Sequence, residues 1–294
     1  MQRRIAAALG YGPEEAQAVA PLVHITTTGD RVQDRRLLEI GGKALFTKEI
    51  EEAMLEGRID CAVHSMKDVP VQRQPGLVLA AIPEREDVRD AFVSLDYEAL
   101  SALPRHGRLA TASLRRQAQA LFARPDLQVA PMRGNVDTRL VKLERGEADA
   151  IILAMAGLKR LGLTHVARAA LDPVLAPPAP GQGALAIETP EHLAQADWVR
   201  ALDHAPSRLA VVAERGALEA LEGSCRTAVG CHARREGDDL VLVVEALTPD
   251  GRARFRRQGV IAYAEHDPGA AERLGRELAL EIKAEGGAAL IWEG

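Results

Sequence analysis

Segments with the hydrophobic period of a helix alternate with short apolar segments typical of strands along most of the chain. One face of a predicted helix is formed by Phe46, Ile50 and Met54, and Gly57 can end that helix. Residues 58–64 favour a strand. After residue 87 the order repeats, with strands near 109–111, 129–132 and 150–154 and helices over 114–123 and 136–145. Repeated strand–helix units predict an α/β fold whose sheets are mostly parallel and covered by helices on both faces.

The last ninety or so residues have a different pattern. A helix over 207–221 is followed by two strands, 240–246 and 254–262, on either side of turn-forming residues. A second helix begins at Asp267-Pro268 and ends at Gly286-Gly287, before a predicted strand over 288–292. This order predicts a small α+β unit at the carboxyl end.

Composition narrows the classes of partner and compartment. The 42 acidic and 37 basic residues give a net charge of −5, and aromatic residues make up only 3% of the chain, so no nucleic-acid partner is expected. The longest apolar run, 150–158, is shorter than the roughly 20 residues of a membrane helix, and the amino end lacks a signal-peptide core. Three sparse cysteines suit a cytoplasmic protein. The spacing of Cys225, Cys231 and His232 is not a zinc pattern, so no metal is expected.

Three arginine-bearing segments each follow the carboxyl end of a predicted strand. They are 111–116, 133–139 and 158–160. In an open parallel sheet these loops line one crevice, where guanidinium groups and helix amino ends bind carboxylates or phosphates. A single arginine in such a place is more often solvated or ion-paired. Three segments at equivalent positions predict a cleft for a ligand with several negative groups.

Other motifs leave their chemistry open. Ser65-Met66-Lys67-Asp68 also follows a strand, and it is compatible with an acid–base pair, with a cation stabiliser or with a plain turn. The glycines before Lys43 do not match a phosphate-binding P-loop, and Gly181-Gln182-Gly183 follows a proline-rich stretch instead of a strand, so neither indicates a nucleotide site. Cys225 follows a helix carboxyl end, which disfavours a thiolate, and it is read as a buried thiol or as one alkylated a single time.

Seven short motifs stand in one order along nearly the whole chain. They are GGK at 41–43 with FTKE at 46–49, AVHSMKDVP at 62–70, SLRRQ at 113–117, RGNV at 133–136, AGLKRL at 156–161, PGQGA at 180–184 and EGSC at 222–225. Together they resemble the porphobilinogen deaminase family, also called the hydroxymethylbilane synthases. Each motif alone is modest, whereas seven in the family's order are very specific.

The resemblance implies three domains. Two α/β domains similar to type II periplasmic binding proteins would face each other across the cleft, the first over 1–83 and 184–201 and the second over 88–177. A small α+β domain over 205–294 would carry the family's dipyrromethane cofactor through a thioether to Cys225. This chain is therefore expected to be a monomer in the cytoplasm.

The resemblance also implies a reaction and a set of site residues. Four porphobilinogen molecules are joined head to tail into hydroxymethylbilane, and ammonia is released. Asp68 would be the catalytic residue, and Lys43 would lie on a loop over the cleft as a lid. Cofactor and substrate carboxylates would be bound by Ser65, Lys67, Thr111, Ser113, Arg115, Arg116, Arg133, Arg139, Arg160 and Gln182.

The chain departs from the family pattern at a few points. The family opens with a strand and turn that supply an arginine and a serine to the site, whereas this sequence begins at Met1 inside the helix that follows. We therefore expect the first sheet to lack that strand and the chain to be poorly active. Ala44 replaces a common glycine and Ala112 a common serine, which removes some loop freedom and one hydroxyl contact.

Two other classes of protein compete with the enzyme. A non-catalytic solute-binding module for a polyanionic small molecule would have the same cleft and arginines, but an export signal is not expected and Cys225 would have no use. The ligand-binding domain of a transcriptional regulator would need a DNA-binding helix-turn-helix, for which the sequence offers no convincing candidate.

Overall fold

The computed structural model describes residues 1–27, 47–221 and 227–291. Lys43, Ala44 and Cys225, which carry predictions above, lie outside these described residues. Within them the α-helices are α1 (Gln2–Ala8), α2 (Ala16–Val19), α3 (Lys48–Leu55), α4 (Leu114–Ala123), α5 (Val136–Glu144), α6 (Met155–Leu161), α7 (Asp197–Arg200), α8 (Ala205–Ala220) and α9 (Pro268–Gly286). None of the described helices is long and apolar enough to cross a bilayer.

The strands of the described residues fall into three sheets. They are β1 (Ala62–Ser65), β2 (Leu77–Ala81), β3 (Asp90–Val93), β4 (Arg108–Ala110), β5 (Gln128–Ala130), β6 (Ala150–Ala154), β7 (Ala169–Ala170), β8 (Leu185–Pro190), β9 (Ala228–Glu236), β10 (Asp239–Leu247) and β11 (Arg254–Ala262). Helices pack beside all three sheets, so the predicted α/β class with an α+β unit at the carboxyl end is confirmed.

Several helices begin where the sequence places a polar cap. Ser113, Asn135 and Asp267 precede α4, α5 and α9, and each side-chain oxygen accepts a hydrogen bond from a backbone N–H of the first turn. Such caps satisfy donors that the helix itself leaves unpaired. They explain why the predicted helix starts at 114, 136 and 268 agree with the structure.

The first sheet has the strand order β1-β8-β2, with β8 antiparallel to both neighbours. The prediction of a mostly parallel sheet is therefore wrong for these described strands. A short 3-10 turn and loops join β1 to β2 instead of a covering helix, and the central strand comes from much later in the chain. Ile187 of β8 is fully buried beneath Ile5 of α1, so the strand fills the core of this unit.

The second sheet has the order β5-β4-β6-β3-β7. Strands β5, β4 and β6 are parallel, as predicted, but β3 runs antiparallel to both β6 and β7. The sequence patterns missed β3, a run of four residues that are all buried and so show no alternation. Its first residue, Asp90, places a carboxylate inside the unit.

The third sheet, β9-β10-β11, is antiparallel and packs against α8 and α9. The predicted hairpin of β10 and β11 is confirmed, whereas β9 was missed because its first six residues are all buried. A 3-10 turn over Gly287–Leu290 replaces most of the strand predicted at 288–292, and Ile291 forms only an isolated bridge to Thr227. Trp292 lies beyond the described part of the chain.

Two linking segments, residues 82–89 and 171–184, join the first sheet to the second. They cross in contact, because Glu86 N donates to Gly183 O at 3.0 Å. Glu214 of α8 also reaches both segments, since its carboxylate accepts from Arg85 at 2.8 Å and from Gly181 N at 2.7 Å. The third unit therefore contacts both connections between the other two.

Candidate active site

A 3-10 turn, Met66–Asp68, follows β1 directly and carries the predicted catalytic residue. Met66 is fully buried, and its N–H donates to Ala184 O at 3.0 Å. A methyl group at Gly181 would lie 2.5 Å from Met66 Cγ, so only glycine allows the linking segment to approach this closely. Anchored through Met66, the turn leaves the side chains of Lys67 and Asp68 exposed.

The surroundings of Asp68 shift its titration in two directions. Burial by the surrounding protein raises the pKa of the Asp68 carboxyl above its ordinary value, while the electrostatic effects of Lys67, Arg116 and His64 lower it. Water reaches the side chain, which limits the effect of burial. The net direction of the pKa shift is upward, as suits a carboxylate that holds and releases a proton.

Lys67 shows the opposite balance. Burial and the positive charges of Arg116 and Arg115 lower the pKa of the Lys67 ammonium to about 8, although Asp68 and Asp90 oppose the shift. Lys67 is therefore a cation at neutral pH that loses its charge in mildly alkaline solution. Ser65, at the end of β1, is half-buried beside the same turn.

Arg115 and Arg116 begin α4 and converge on a single carboxylate. Asp90 accepts from Arg116 Nη2 at 2.6 Å and from Arg115 Nη1 at 2.7 Å. Burial favours a raised pKa for Asp90, but the two guanidinium groups outweigh it and hold that pKa well below its usual range. The three groups together keep one positive charge, and both arginines are buried.

The remaining contacts of this cluster point into the protein. Arg115 Nη1 also donates to Pro177 O at 3.2 Å, and Arg116 Nη1 donates to Ile152 O at 2.9 Å. Gln182 Nε2 donates to Asp90 Oδ1 at 2.9 Å. The hydrogen bonds from Arg115 and Gln182 thus hold the Asp90 carboxylate in place against Arg116. Asp90 itself was missed by sequence reasoning, and its only signal was an acidic residue at the head of a short apolar run.

Arg133 and Arg139 extend the positive region from the next strand–helix loop. Arg139 Nε donates to Gly134 O at 2.7 Å, and both arginines are half-buried. Burial, and then the charges of Arg116 and Arg133, lower the pKa of Arg139. Within the described residues no carboxylate forms an ion pair with Arg139. Like charges held together in this way attract an anionic ligand.

Thr111 and Ser113 lie between these groups at the start of α4. Thr111 Oγ1 accepts from Ser113 N at 3.1 Å, and Ser113 Oγ accepts from Arg116 N at 3.4 Å. Because each hydroxyl oxygen serves as an acceptor here, each O–H remains able to donate to a carboxylate. Both hydroxyls therefore suit the binding role predicted for them.

Arg160 is set apart from the other predicted arginines. It lies exposed in the last turn of α6 and forms no hydrogen bond or ion pair with any described residue. Its neighbour Lys159 pairs instead with Glu86 of a linking segment at 2.8 Å. Arg116 thus links two groups, since it lies within electrostatic reach of Lys67 and Asp68 and also of Arg139, which in turn lies near Arg133. Arg160 is not part of this set.

Known proteins resemble this chain to very different degrees. A putative methionine-binding lipoprotein from Bacillus subtilis covers 53% of this chain and 73% of its own, at 14% identity and a TM-score of 0.36, which is too low to bear on function. Sequence relatives are far closer. A porphobilinogen deaminase of Caulobacter sp. (strain K31) is 62% identical over 293 residues, covering 99% of this chain and 92% of the relative.

Further relatives and two family models agree with that match. Porphobilinogen deaminases of Phenylobacterium zucineum (60% identity, 99% of this chain and 92% of theirs) and Ralstonia nicotianae (48%, 89% and 78%) align as well. Residues 2–197 match the model "Porphobilinogen deaminase, dipyromethane cofactor binding domain", and residues 208–284 match its C-terminal domain. The solute-binding alternative is not favoured by these matches. The chain therefore belongs to the porphobilinogen deaminase family, the transferases that join four porphobilinogen molecules into hydroxymethylbilane with release of ammonia.

Proposed function

We propose that Asp68 is the catalytic residue of this transferase and that the cations around it bind the carboxylates of the substrate. One observation carries the proposal: Asp68 is exposed on an anchored turn and lies within electrostatic reach of Lys67 and Arg116. Porphobilinogen bears an acetate, a propionate and an aminomethyl group. A site for it needs cations for two carboxylates and an anion beside the departing amine.

The cleft cations would fix the orientation of the substrate. Carboxylates of the substrate would bind to three positively charged side chains, Arg133, Arg139 and Lys67. The hydroxyls of Thr111 and Ser113 can add hydrogen bonds. Ser65 and Arg160 would contact more distant carboxylates of the growing chain. Arg115 and Gln182 would act one step back, since both hold Asp90 in place against Arg116.

The chemistry assigned to Asp68 follows from charge. When the C–N bond of the aminomethyl group breaks, the electron pair leaves with the protonated amine as ammonia and a positive charge remains on the methylene-pyrrole. The Asp68 carboxylate stabilises that charge. The new C–C bond uses electrons of a pyrrole α-carbon, whose proton must then leave, and a carboxylate with a raised pKa can accept it.

The residues of the cleft also fit the family's dipyrromethane cofactor. Its carboxylates match the positive charges of Arg116 and Arg133, which lie within electrostatic reach of Arg139. When bound, the cofactor supplies the pyrrole end from which the chain grows. We assign its thioether to Cys225, whereas burial raises the pKa of the thiols of Cys61, to about 11, and of Cys231.

The three units are proposed to follow the limits expected from the sequence, 1–83 with 184–201, 88–177 and 205–294. Each of the three sheets has an apolar core of its own, which supports this division, and two smaller apolar clusters pack the third unit against the first and the second. We further propose a monomer in the cytoplasm, where the sparse cysteines remain reduced. Lys43 stays the proposed lid residue.

Replacing Asp68 tests the assignment. Asp68→Asn removes the negative charge at nearly constant volume, so we expect kcat for ammonia release to fall about 10²–10³-fold while KM changes little. Asp60→Asn, an exposed carboxylate just before β1, is the matched control and keeps normal turnover. Intact-mass spectrometry of each variant checks that the cofactor is still attached. Near-normal turnover by a loaded Asp68→Asn enzyme would remove Asp68 from the mechanism.

A further inference from the structure

Helix α8 of the third unit sends one arginine to the turn that carries Asp68. Arg215 Nη2 donates to Pro70 O at 2.8 Å and Nη1 donates to Val69 O at 3.0 Å. Nη1 also lies 3.9 Å from Met66 Sδ. The guanidinium group therefore contacts residues on both sides of Asp68, although it contacts no atom that takes part in the reaction.

The environment of Arg215 is unusual for an arginine without a carboxylate partner. It is half-buried, and within the described residues no acidic side chain forms an ion pair with it. Burial and the charge of Arg73 lower the pKa of Arg215 to about 10, and Glu219 of the same helix opposes this only partly. Burying a cation costs free energy unless good acceptors compensate it. Here the carbonyl oxygens of Val69 and Pro70 are those acceptors. The position of the guanidinium group and the position of the turn therefore depend on each other.

The residue before Arg215 braces the other side of the same turn. Glu214 is fully buried and accepts from Gly181 N at 2.7 Å and from Ala233 N at 2.9 Å. Gly181 in turn packs against the Met66 side chain. Two adjacent residues of α8 thus reach the catalytic turn by separate routes, one direct and one through a linking segment.

We propose that Arg215 is a positioning residue that fixes the Asp68 turn relative to the third unit. The inference rests on the proposed role of Asp68. Helix α8 ends at Ala220, and Cys225 follows five residues later in the sequence. Arg215 therefore joins the catalytic turn to the helix that precedes the proposed attachment residue in the sequence. Because a displacement of about 1 Å can cost about 10²-fold in rate, a fixed position of the Asp68 turn is of direct value to the reaction.

The test compares three variants of the full chain loaded with cofactor. Arg215→Ala removes both hydrogen bonds, and we expect kcat to fall on the order of 10- to 100-fold with KM nearly unchanged. Guanidinium chloride below denaturing concentrations should restore part of the lost rate to Arg215→Ala and to no other form. Arg215→Lys keeps the charge but not the two divergent donors, so its rate should lie between those of the parent and Arg215→Ala. Arg276→Ala is the control, since Arg276 is exposed on α9 and pairs with Glu219 at 3.1 Å.

Each outcome distinguishes positioning from a merely structural role. A loss of rate that guanidinium restores, with intact mass and thermal unfolding as in the parent, supports the proposal. Normal turnover by Arg215→Ala overturns it, as does a rate that falls only in proportion to lost folded protein in both variants. If Arg215→Ala does not fold, the same criteria apply to Arg215→Lys. The role of Asp68 is judged separately, because Asp68→Asn would stay inactive even where Arg215 proves dispensable.

Discussion

Lys67 and Asp68 are neighbours on one turn, and each carries a charge that favours ionisation of the other. Burial works against both charges, which brings the two pKa values towards each other from their ordinary positions. Asp68 must be ionised to stabilise a cation, so activity should decline on the acid side at a pH above the usual range of a carboxylate. On the alkaline side the loss of the Lys67 charge sets the limit.

The alkaline side gives a sharp prediction. Because the pKa of Lys67 is lowered to about 8, KM for porphobilinogen should rise as pH increases through that value and a cation is lost from the cleft. Lys67→Arg, which stays charged, should move this rise to higher pH. Steady-state kinetics across the alkaline range measure it, with Lys159→Arg in an exposed ion pair as control. Identical pH profiles for the parent and Lys67→Arg would mean that the rise of KM at alkaline pH comes from ionisation of the substrate and not of Lys67.

The sequence indicates which residues follow strand ends, but not which residues they contact. Lys67, Asp68 and Arg139 follow strand ends, and position after a strand is visible in the sequence. Asp90 belongs to the same cluster but contacts Arg115 and Arg116 from a strand between β6 and β7, which no local pattern indicates. Contacts between residues far apart in the chain depend on strand order, and strand order was the part left undetermined.

At the scale of elements, β3 and α4 are held together by charge as well as by apolar packing. Asp90 on β3 is the shared partner of two buried arginines at the start of α4. Its pKa is depressed in the folded protein, so its contribution to stability is present above the usual carboxylate range and is lost only as the pH falls through the lower folded value. The ion pairs should therefore persist through mildly acidic solution.

Removing this carboxylate should be costly. Asp90→Asn leaves two guanidinium groups buried without a counter-charge, and we expect the free energy of unfolding at neutral pH to fall by about 3–5 kcal/mol. Asp149→Asn breaks an exposed pair with Arg108 and should cost less than about 1 kcal/mol. Urea unfolding of both variants makes the comparison. Equal losses would mean that the buried cluster contributes no more than a surface pair.

Elements with local signals were predicted well, and elements without them were not. Helix α4 agrees with its prediction at both ends, because Ser113 caps it and Pro125 follows it closely. Strands β3 and β9 lack alternation since they are buried on both faces, so their sequences resemble other apolar runs. Residues Gly287–Leu290 form a 3-10 turn where a strand was predicted from 288 onwards.

At the scale of the whole molecule, the crossing of the two linking segments sets how the units meet. Gly183 has φ of +83°, and a methyl group there would lie 2.5 Å from Glu86 O. Both the backbone conformation and the close approach require glycine. The carboxylate of Glu214 joins the same crossing to the third unit, so three units are fastened within a few residues.

Substitution at the crossing should therefore cost more than at an open turn. Gly183→Ala should lose about 1–2 kcal/mol from its positive φ and a further 1–3 kcal/mol or so from the collision with the other segment. Gly237→Ala, at φ of +60° in the turn between β9 and β10 with nothing nearby, carries only the first cost. Thermal unfolding of the two variants separates these contributions. Equal losses of stability in the two variants would show that the linking segments move apart without cost to accommodate the methyl group.

The order of the first sheet affects how the chain is made as well as how it works. Strand β8 lies between β1 and β2 in the sheet, yet the whole of the second sheet is encoded between β2 and β8. During synthesis the second sheet can close while the first still waits for its central strand to leave the ribosome. A translational pause at that stage would leave two short strands with open edges, available to chaperones or to a neighbouring nascent chain.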